Sequence, residues 1–300
     1  MGFHPGELEI QQRAGVRAMA DEVGESIHDS VSDKVADFLQ RRRFAIVGTV
    51  DTSNYACASV ITGEPGFIKV PNPRTVVLEC VPASGDPLAE NLLNESHAAL
   101  LAIDLLNPRR VRVNGRAVIK DGAIYIETAQ VYGNCRRYIQ ERIVLGARTK
   151  DSQNIEIVRS SSLSPVQCDQ IVRADTFFIA TEHPDSGADV SHKGGNPGFV
   201  QVVDAGHLAI PDYNGNSMFN TLGNIAVNPK AGLLFINFES GRTLQIRGVA
   251  AIDWASVRTR SFPGAERVLD FEIQQIIDNS QGFPLAVKFR QQSRYNPDLG

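Results

Sequence analysis

Ser191, His192 and Lys193 run directly into Gly194 and Gly195, so a hydroxyl, an imidazole, an ammonium and two positions without side chains follow one another. Side-chain donors and closely approaching backbone N–H groups in that order suit one anion of the phosphate type. Further along, positions 214–224 carry four asparagines, one serine and one threonine. Amides at that density suit the polar edges of a flat heterocycle. Turn chemistry is the alternative for either stretch alone, because Gly, Asn and Pro are also the residues hairpins need.

Composition narrows the partners. The chain has 300 residues, 42% of them hydrophobic, which is enough for one large core or two modest ones. A net charge of −4 gives no global field for nucleic acid or an anionic membrane, so a phosphate-bearing ligand must be captured locally. No apolar run reaches the roughly 18 residues of a membrane span, and the expectation is a soluble, cytoplasmic protein. Cys57, Cys80, Cys135 and Cys168 lie 23, 55 and 33 positions apart with no Cys-x-x-Cys, so neither a zinc site nor a disulfide framework is expected. No Ser/His/Asp triad, paired-carboxylate site or Walker-type loop is apparent, which leaves hydrolysis and phosphoryl transfer unsupported.

The run from Ala188 to Phe199, followed by Asn216 to Asn224, resembles the pyridoxamine 5'-phosphate oxidase-related FMN-binding split-barrel family, in its long two-barrel branch. His4-Pro5-Gly6-Glu7, Gly133-Asn134-Cys135 with Tyr138-Ile139, and Tyr295-Asn296-Pro297 match as well, so the resemblance spans nearly the whole chain. It implies a mainly β fold of tandem split β-barrels with flanking helices, pairing face to face with FMN between them. Tyr132, Arg136 and Arg137 depart from the Phe, Pro and Lys common in the family.

The elements that must position these residues can be read in order. Residues 7–28 are rich in helix formers and read as a helical arm, with Pro5 before it and His4 as a solvated terminal histidine. Ser32 reads as the N-cap of a helix to about Arg42, with Val35, Phe38 and Leu39 on one face and Arg41, Arg42 and Arg43 at its end. Strands are expected over 44–50, 75–80, 98–103 and 111–119, then over 177–181, 207–210, 233–238 and 243–252. Ala129 to Arg148 reads as a helix, as does Glu266 to Asp278, with a final strand over Pro284 to Phe289.

The two sets of strands repeat. Phe177 follows Phe44, Asn237 follows Asp104 and Gly248 follows Gly115, each by 133 positions. Gly63-Glu64-Pro65-Gly66-Phe67 recurs as Gly195-Asn196-Pro197-Gly198-Phe199 at one position less. This predicts a tandem duplication of a small antiparallel barrel, with an arm at 1–31, a first barrel at 32–150, a linker at 151–164 and a second barrel at 165–300. Subtracting 133 sets Ser191-His192-Lys193 on Ala58-Ser59-Val60 and Asn216-Ser217-Met218 on Ala83-Ser84-Gly85. On that register the first half has lost the imidazole and the ammonium, so one FMN per chain is expected, its phosphate on the second barrel and its ring facing the first.

Under the resemblance, the cofactor-binding set is Ser191, His192, Lys193, Asp212, Asn214, Asn216, Ser217, Met218, Asn220, Thr221, Gln245 and Arg247. Lys193 is the leading phosphate partner, since an ammonium accompanies any phosphate oxygen without fixed geometry; a solvated hairpin lysine is the alternative. Ser191 and Ser217 offer hydroxyls, and His192 either donates to phosphate or ring or is a turn residue. Asn216, Asn220 and Thr221 fit ring-edge or ribityl contacts, although Asn220 and Asn224 could instead cap a helix beginning near Met218. Gln245 and Arg247 alternate in one strand and share a face toward the ligand, the other barrel or solvent. Cys135 either approaches the ligand or packs, and Trp254 is expected in a core or interface.

The resemblance implies an FMN-dependent oxidoreductase acting on a small molecule over the flavin, with a reduced nicotinamide as possible reductant and a homodimer as possible assembly. The rivals are a flavin carrier or sensor without turnover, and a split barrel holding haem or a deazaflavin. Pyridoxamine phosphate oxidation is disfavoured because only one phosphate-binding set is visible.

Overall fold

The computed structural model describes residues 2–80, 82–83, 85–93, 96–148 and 155–298. The arm is helical but broken: α1 (Pro5–Arg13) and α2 (Arg17–Gly24) are separated at Gly15, whose φ of +70° no right-handed helix contains. α1 opens on a capping box, with the His4 imidazole accepting from the Glu7 N–H and the Glu7 carboxylate accepting from the His4 N–H. α3 (Asp33–Gln40) begins after Ser32, which has the extended backbone of an N-cap but makes no side-chain cap bond.

Two antiparallel sheets follow. The first holds β1 (Phe44–Val50), β2 (Ala56–Thr62), β3 (Ile68–Asn72), β4 (Thr75–Leu78), β5 (Ser96–Asp104), β6 (Arg109–Lys120) and β7 (Ala123–Asn134), with the short α4 (Leu88–Asn91) between β4 and β5. Next come β8 (Glu141–Ala147), β9 (Ile157–Ser160) and α5 (Pro165–Arg173). The second sheet holds β10 (Thr176–His183), β11 (Gly187–Gly194), β12 (Gln201–Asp204), β13 (His207–Tyr213), β14 (Lys230–Ile236), β15 (Thr243–Asp253) and β16 (Ala265–Asn279). α6 (Asn220–Val227) precedes β14, α7 (Ser256–Thr259) follows β15, and β17 (Leu285–Gln291) pairs with β8.

The strand orders correspond one to one. The first sheet runs β2-β1-β5-β6-β7-β4-β3 and the second β11-β10-β14-β15-β16-β13-β12. Both break register at the same point: the bulge lies between Asn114 and Gly115 in one half and between Arg247 and Gly248 in the other. Register also corrects the alignment made from sequence. Val47 pairs with Ser59 as Ile179 pairs with Ser191, an offset of 132, so Ser191, His192 and Lys193 correspond to Ser59, Val60 and Ile61. The first half therefore keeps the hydroxyl and lacks the imidazole and the ammonium. Ser84, matched above with Ser217, lies outside the described residues.

Two helices expected from sequence are strands. Residues 129–134 complete β7, and after a turn in which Tyr138 has φ +64°, Glu141–Ala147 forms β8. At Val131, β7 is hydrogen-bonded to β6 on one side and to His28 on the other, and it buries the neighbours Val131 and Tyr132 together, which blurs its alternation into a helix-like pattern. Glu266 to Asp278 lies in β16, where buried Leu269, Phe271 and Ile273 alternate with Asp270, Glu272 and Gln274. Pairing with β15 and β13 overrides the helix propensity of its Glu and Gln residues. The stretch read as a linker contains β9, which pairs with β16; its residues 151–154 lie outside the described residues.

Each half has its own core, around Val47, Leu78 and Leu100 in the first and around Phe177, Leu208 and Phe235 in the second. A third core lies between them, where Ile46, Val60 and Leu101 meet Phe178, Val190 and Leu234. β1 and β10 are consequently apolar on both faces, one toward its own barrel and one toward the partner barrel. No helix among the described residues is long and apolar enough to cross a membrane.

Gly232 sets how closely β14 approaches β2: a Cβ there would lie 2.2 Å from the Ala56 carbonyl oxygen. Gly232→Val should therefore destabilise the protein by about 2–4 kcal/mol, read as a lower midpoint in denaturant unfolding. A change below about 0.5 kcal/mol would show that the barrel contact is not rigid.

Candidate functional site

A cleft of about 390 Å³ opens between the halves, lined by β6 and the β7–β8 turn on one side and by β11, β13 and the start of α6 on the other. Five cationic side chains line it, Arg110, Arg112, Arg137, Lys193 and Arg267, against the two carboxylates of Asp212 and Glu266. This imbalance favours an anion.

Arg112 is the fixed centre. Its Nη1 lies 2.8 Å from Asp189 Oδ1 and donates to Tyr132 Oη (2.8 Å) and Asn220 Oδ1 (3.1 Å), while Nη2 donates to Ser191 Oγ (2.6 Å). Thr221 Oγ1 bonds to the same serine at 3.0 Å. A second network holds Lys193, whose Nζ donates to Asp212 Oδ1 at 2.8 Å, with Arg267 Nε on the other oxygen at 3.1 Å. Burial alone would raise the Asp212 carboxyl, yet Lys193 and Arg267 hold it below the usual range, so it stays ionised. Lys193 thus spends much of its charge on Asp212.

Arg110 is different. It donates from Nη1 to His192 Nδ1 (3.1 Å) and to the His192 carbonyl (3.2 Å), and no carboxylate pairs with it among the described residues. Burial, then the neighbouring Arg112, pushes its guanidinium down to about 10. Because arginine has no acceptor, His192 Nδ1 must be the acceptor and the ring proton must sit on Nε2. Burial, followed by the nearby Arg110, Arg142 and Lys193, drives that imidazole well below its ordinary pKa, so it is neutral. His192 Nε2, Arg110 Nε, Arg112 Nε and Asn134 Nδ2 are all buried without a partner. Each unsatisfied donor costs roughly 1–3 kcal/mol. All four belong to residues lining this one cleft, and a multi-oxygen anion such as a phosphate ester fits that donor set.

Of the residues expected from sequence, Ser191, His192, Lys193, Asp212, Asn214, Asn216, Ser217, Asn220 and Thr221 line the cleft. Met218 does not: its side chain is fully buried and its carbonyl accepts from Gln11 Nε2 at 2.9 Å. Both glycines permit close chain crossing, and Gly194 also lines the cleft. A Cβ on Gly194 would meet the Tyr138 carbonyl oxygen at 2.1 Å, one on Gly195 would meet the Phe199 ring at 2.6 Å, and the Gly195 N–H donates to the Asp175 carbonyl. Asn220 is the first residue of α6 rather than its cap, a place taken by Phe219 in the left-handed conformation. Cys135 lies outside the lining and its sulfur accepts from the Arg137 N–H. Trp254 lines the cleft between Arg13 (4.2 Å) and Arg267 (5.1 Å).

Gln245 and Arg247 are not at this site. They line a second cleft of about 400 Å³ with Asp51 and Asp86, where Gln245 Nε2 donates to Ser59 Oγ (3.2 Å) and Asp86 Oδ2 (2.9 Å) and Arg247 Nη1 to Asp51 Oδ2 (2.8 Å). Burial pushes the Asp86 carboxyl up to about 6. Face-to-face pairing explains the displacement: each cleft takes one wall from each barrel, so β11 faces β6 and β2 faces β15. Arg110 and Arg112, which stand 133 positions before Thr243 and Gln245, were missed for that reason. Their signal was present as two arginines at alternate positions of one strand. The cations that line this cleft are consequently drawn from both halves: Arg110, Arg112 and Arg137 from the first, Lys193 and Arg267 from the second.

A split-barrel architecture with a cation-rich cleft between barrels defines the class. Residues 31–154 match the family model described as Pyridoxamine 5'-phosphate oxidase, so this part of the chain is similar to that family. Among solved structures, HupZ of Group A Streptococcus is 13% identical, covering 41% of this chain and 98% of its own with a TM-score of 0.33. An FMN-binding protein of Syntrophomonas wolfei is 11% identical, covering 38% and 84% with a TM-score of 0.29. A FAD-binding protein of Mesorhizobium loti is 13% identical, covering 41% and 96% with a TM-score of 0.29. No curated protein matches the chain. Among the described residues, no group of three or more His, Cys, Asp or Glu side chains could hold a metal ion.

If Arg110 is held for an anion, replacing it should stabilise the unliganded protein. Arg110→Gln is expected to raise the unfolding temperature by about 2–4 °C, corresponding to about 1 kcal/mol, and to abolish the further rise that inorganic phosphate gives the wild type. A variant that is less stable and still responds to phosphate would contradict this assignment.

Proposed function

We propose that the cleft between the barrels binds FMN and that the protein is an FMN-dependent oxidoreductase. The observation that carries the reading is Arg110, a cation without a counter-ion beside three further unpartnered donors in one cleft. The phosphate belongs at Arg110, His192 Nε2 and Asn134, with Arg112 behind it, held in place by Asp189 and Ser191. The asparagines at 214, 216 and 220 and the aromatic rings of Tyr138, Tyr213, Phe219 and Trp254 supply edge donors and apolar walls for a flat ring system. When bound, the isoalloxazine supplies hydride or electron transfer. The protein's share is binding, orientation and exclusion of water.

A second reading, flavin binding without turnover, draws on the protonation states in the cleft. Asp212 is held ionised, His192 is neutral and buried, and burial followed by Tyr138 pushes Tyr213 up to about 12, so none of these three is poised to move a proton near neutral pH. Steady oxidation of a reduced nicotinamide by the loaded protein separates the two readings.

Titration of purified protein with FMN is expected to quench and shift the flavin spectrum, saturating at one equivalent per chain. Arg110→Gln should weaken binding by about 10–100-fold, the loss of one charge-assisted contact. Saturation at two equivalents would place flavin in both clefts, and no spectral change would remove the cofactor assignment.

A further inference from the structure

The N-terminal arm is built into the wall of the anion-binding cleft. α1 crosses α6 at two glycines in backbone contact: a Cβ on Gly6 would lie 2.3 Å from the Gly223 carbonyl oxygen, and one on Gly223 would lie 2.7 Å from the Glu7 nitrogen. The crossing is latched by side chains on both elements. His4 Nε2 meets Asn224 Oδ1 at 2.9 Å, and Gln11 Nε2 donates to the Met218 carbonyl at 2.9 Å. His4 is therefore a docked residue rather than a solvated terminus, and its ring also lies 4.1 Å from that of His183. Beyond the crossing, Ala14 and Val16 line the cleft itself.

One contact reaches from the arm to the guanidinium at the centre of the site. Asn220 Nδ2 donates to Glu7 Oε1 at 2.5 Å, and Asn220 Oδ1 accepts from Arg112 Nη1 at 3.1 Å. A carboxamide has one donor end and one acceptor end. Glu7, as an acceptor, fixes the donor end toward the arm and so presents the oxygen to Arg112. Without that acceptor, the amide is free to turn its N–H₂ toward a guanidinium that can only donate. Glu7 is almost fully enclosed, with 8% of its side chain exposed, so its carboxyl depends on these partners. The groups around it are His4 at the N-cap of α1, Asn220 on α6, Asp189 on β11 and Arg112 on β6, and burial pushes the carboxyl up to about 7.

We infer that Glu7 is a positioning residue for Arg112, acting through Asn220, and that docking of the arm and binding of FMN are thermodynamically linked. The inference rests on the flavin reading above. Linkage is reciprocal: if the docked arm tightens flavin binding by some factor, bound flavin must favour the docked arm by the same factor.

The test uses the full-length protein. FMN affinity is measured by fluorescence quenching, and the arm's release by the rate of limited proteolysis within residues 2–24, each with and without FMN. Gly6→Val undocks the arm without altering a residue that lines the cleft. Glu7→Ala keeps the Gln11–Met218 and His4–Asn224 hydrogen bonds and removes the acceptor for Asn220, the capping box and the 3.6 Å contact of Glu7 with His4 Nε2. Gly2→Ala is the control, since nothing lies within 4 Å of a Cβ there. In the wild type, FMN should slow arm cleavage several-fold. Gly6→Val should speed cleavage and weaken FMN by about 5–20-fold, within the usual range of coupling energies. Glu7→Ala should weaken FMN to a similar degree with a much smaller change in cleavage, which a merely structural role would not give. FMN affinities within twofold of the wild type in both variants, with the Gly6→Val arm cleaved faster, would overturn the linkage. Failure of the wild type to bind FMN would overturn the flavin reading and this inference together.

Discussion

The buried ion pair between Arg112 and Asp189 is the constraint on which the arrangement of the two halves depends. Each side chain is 4% exposed, and they come from β6 of the first sheet and β11 of the second. Removing one member of such a pair costs about 3–5 kcal/mol, because the other charge is left buried and alone. The pair therefore disfavours any arrangement of the barrels that separates the two charges, alongside the apolar core between them. Tyr132, Ser191 and Asn220 complete the guanidinium's shell, so residues far apart in sequence are held around one group.

From that closure follow two clefts of similar size with opposite character. β6 supplies Arg110 and Arg112 where β15 supplies Thr243 and Gln245, and β11 supplies His192 and Lys193 where β2 supplies Val60 and Ile61. One backbone arrangement thus carries a surplus of cations at one cleft and the buried Asp86 carboxylate at the other. Volume does not distinguish them; charge does, and so does the number of unpartnered donors, four at the first cleft against Arg247 Nε at the second.

Several residues that look like ligand chemistry in the chain do architectural work. The Gly-x-Pro-Gly-Phe turns place Gly66 and Gly198 at φ +100° and +90°, and their N–H groups donate to the Gln40 and Val172 carbonyls in corresponding places. Gly194 and Gly195 allow the Tyr138 backbone and the Phe199 ring to approach. Lys193 is shared between the cleft and Asp212. The group with most capacity to hold an anion is Arg110, which stands in no glycine-rich motif.

The sequence by itself determined the small barrels, the turns and the strands with clear alternation, because local chemistry and period suffice for these: the Gly-x-Pro-Gly-Phe turns, the apolar runs of β1 and β10, and the Pro5 start of α1. It also pointed to the neighbourhood of Ser191 and Asn220, where polar residues are too dense for turning alone. Tertiary structure decided the rest. β7 and β16 read as helices because strands paired on both edges can bury neighbouring residues together or carry helix-forming side chains, and only the pairing shows this. Gln245 and Arg247 stand at the other cleft, and Arg110 and Arg112 at this one, because which strand faces which is set by how the barrels close. That closure depends on contacts between residues tens to hundreds of positions apart, which no local pattern encodes.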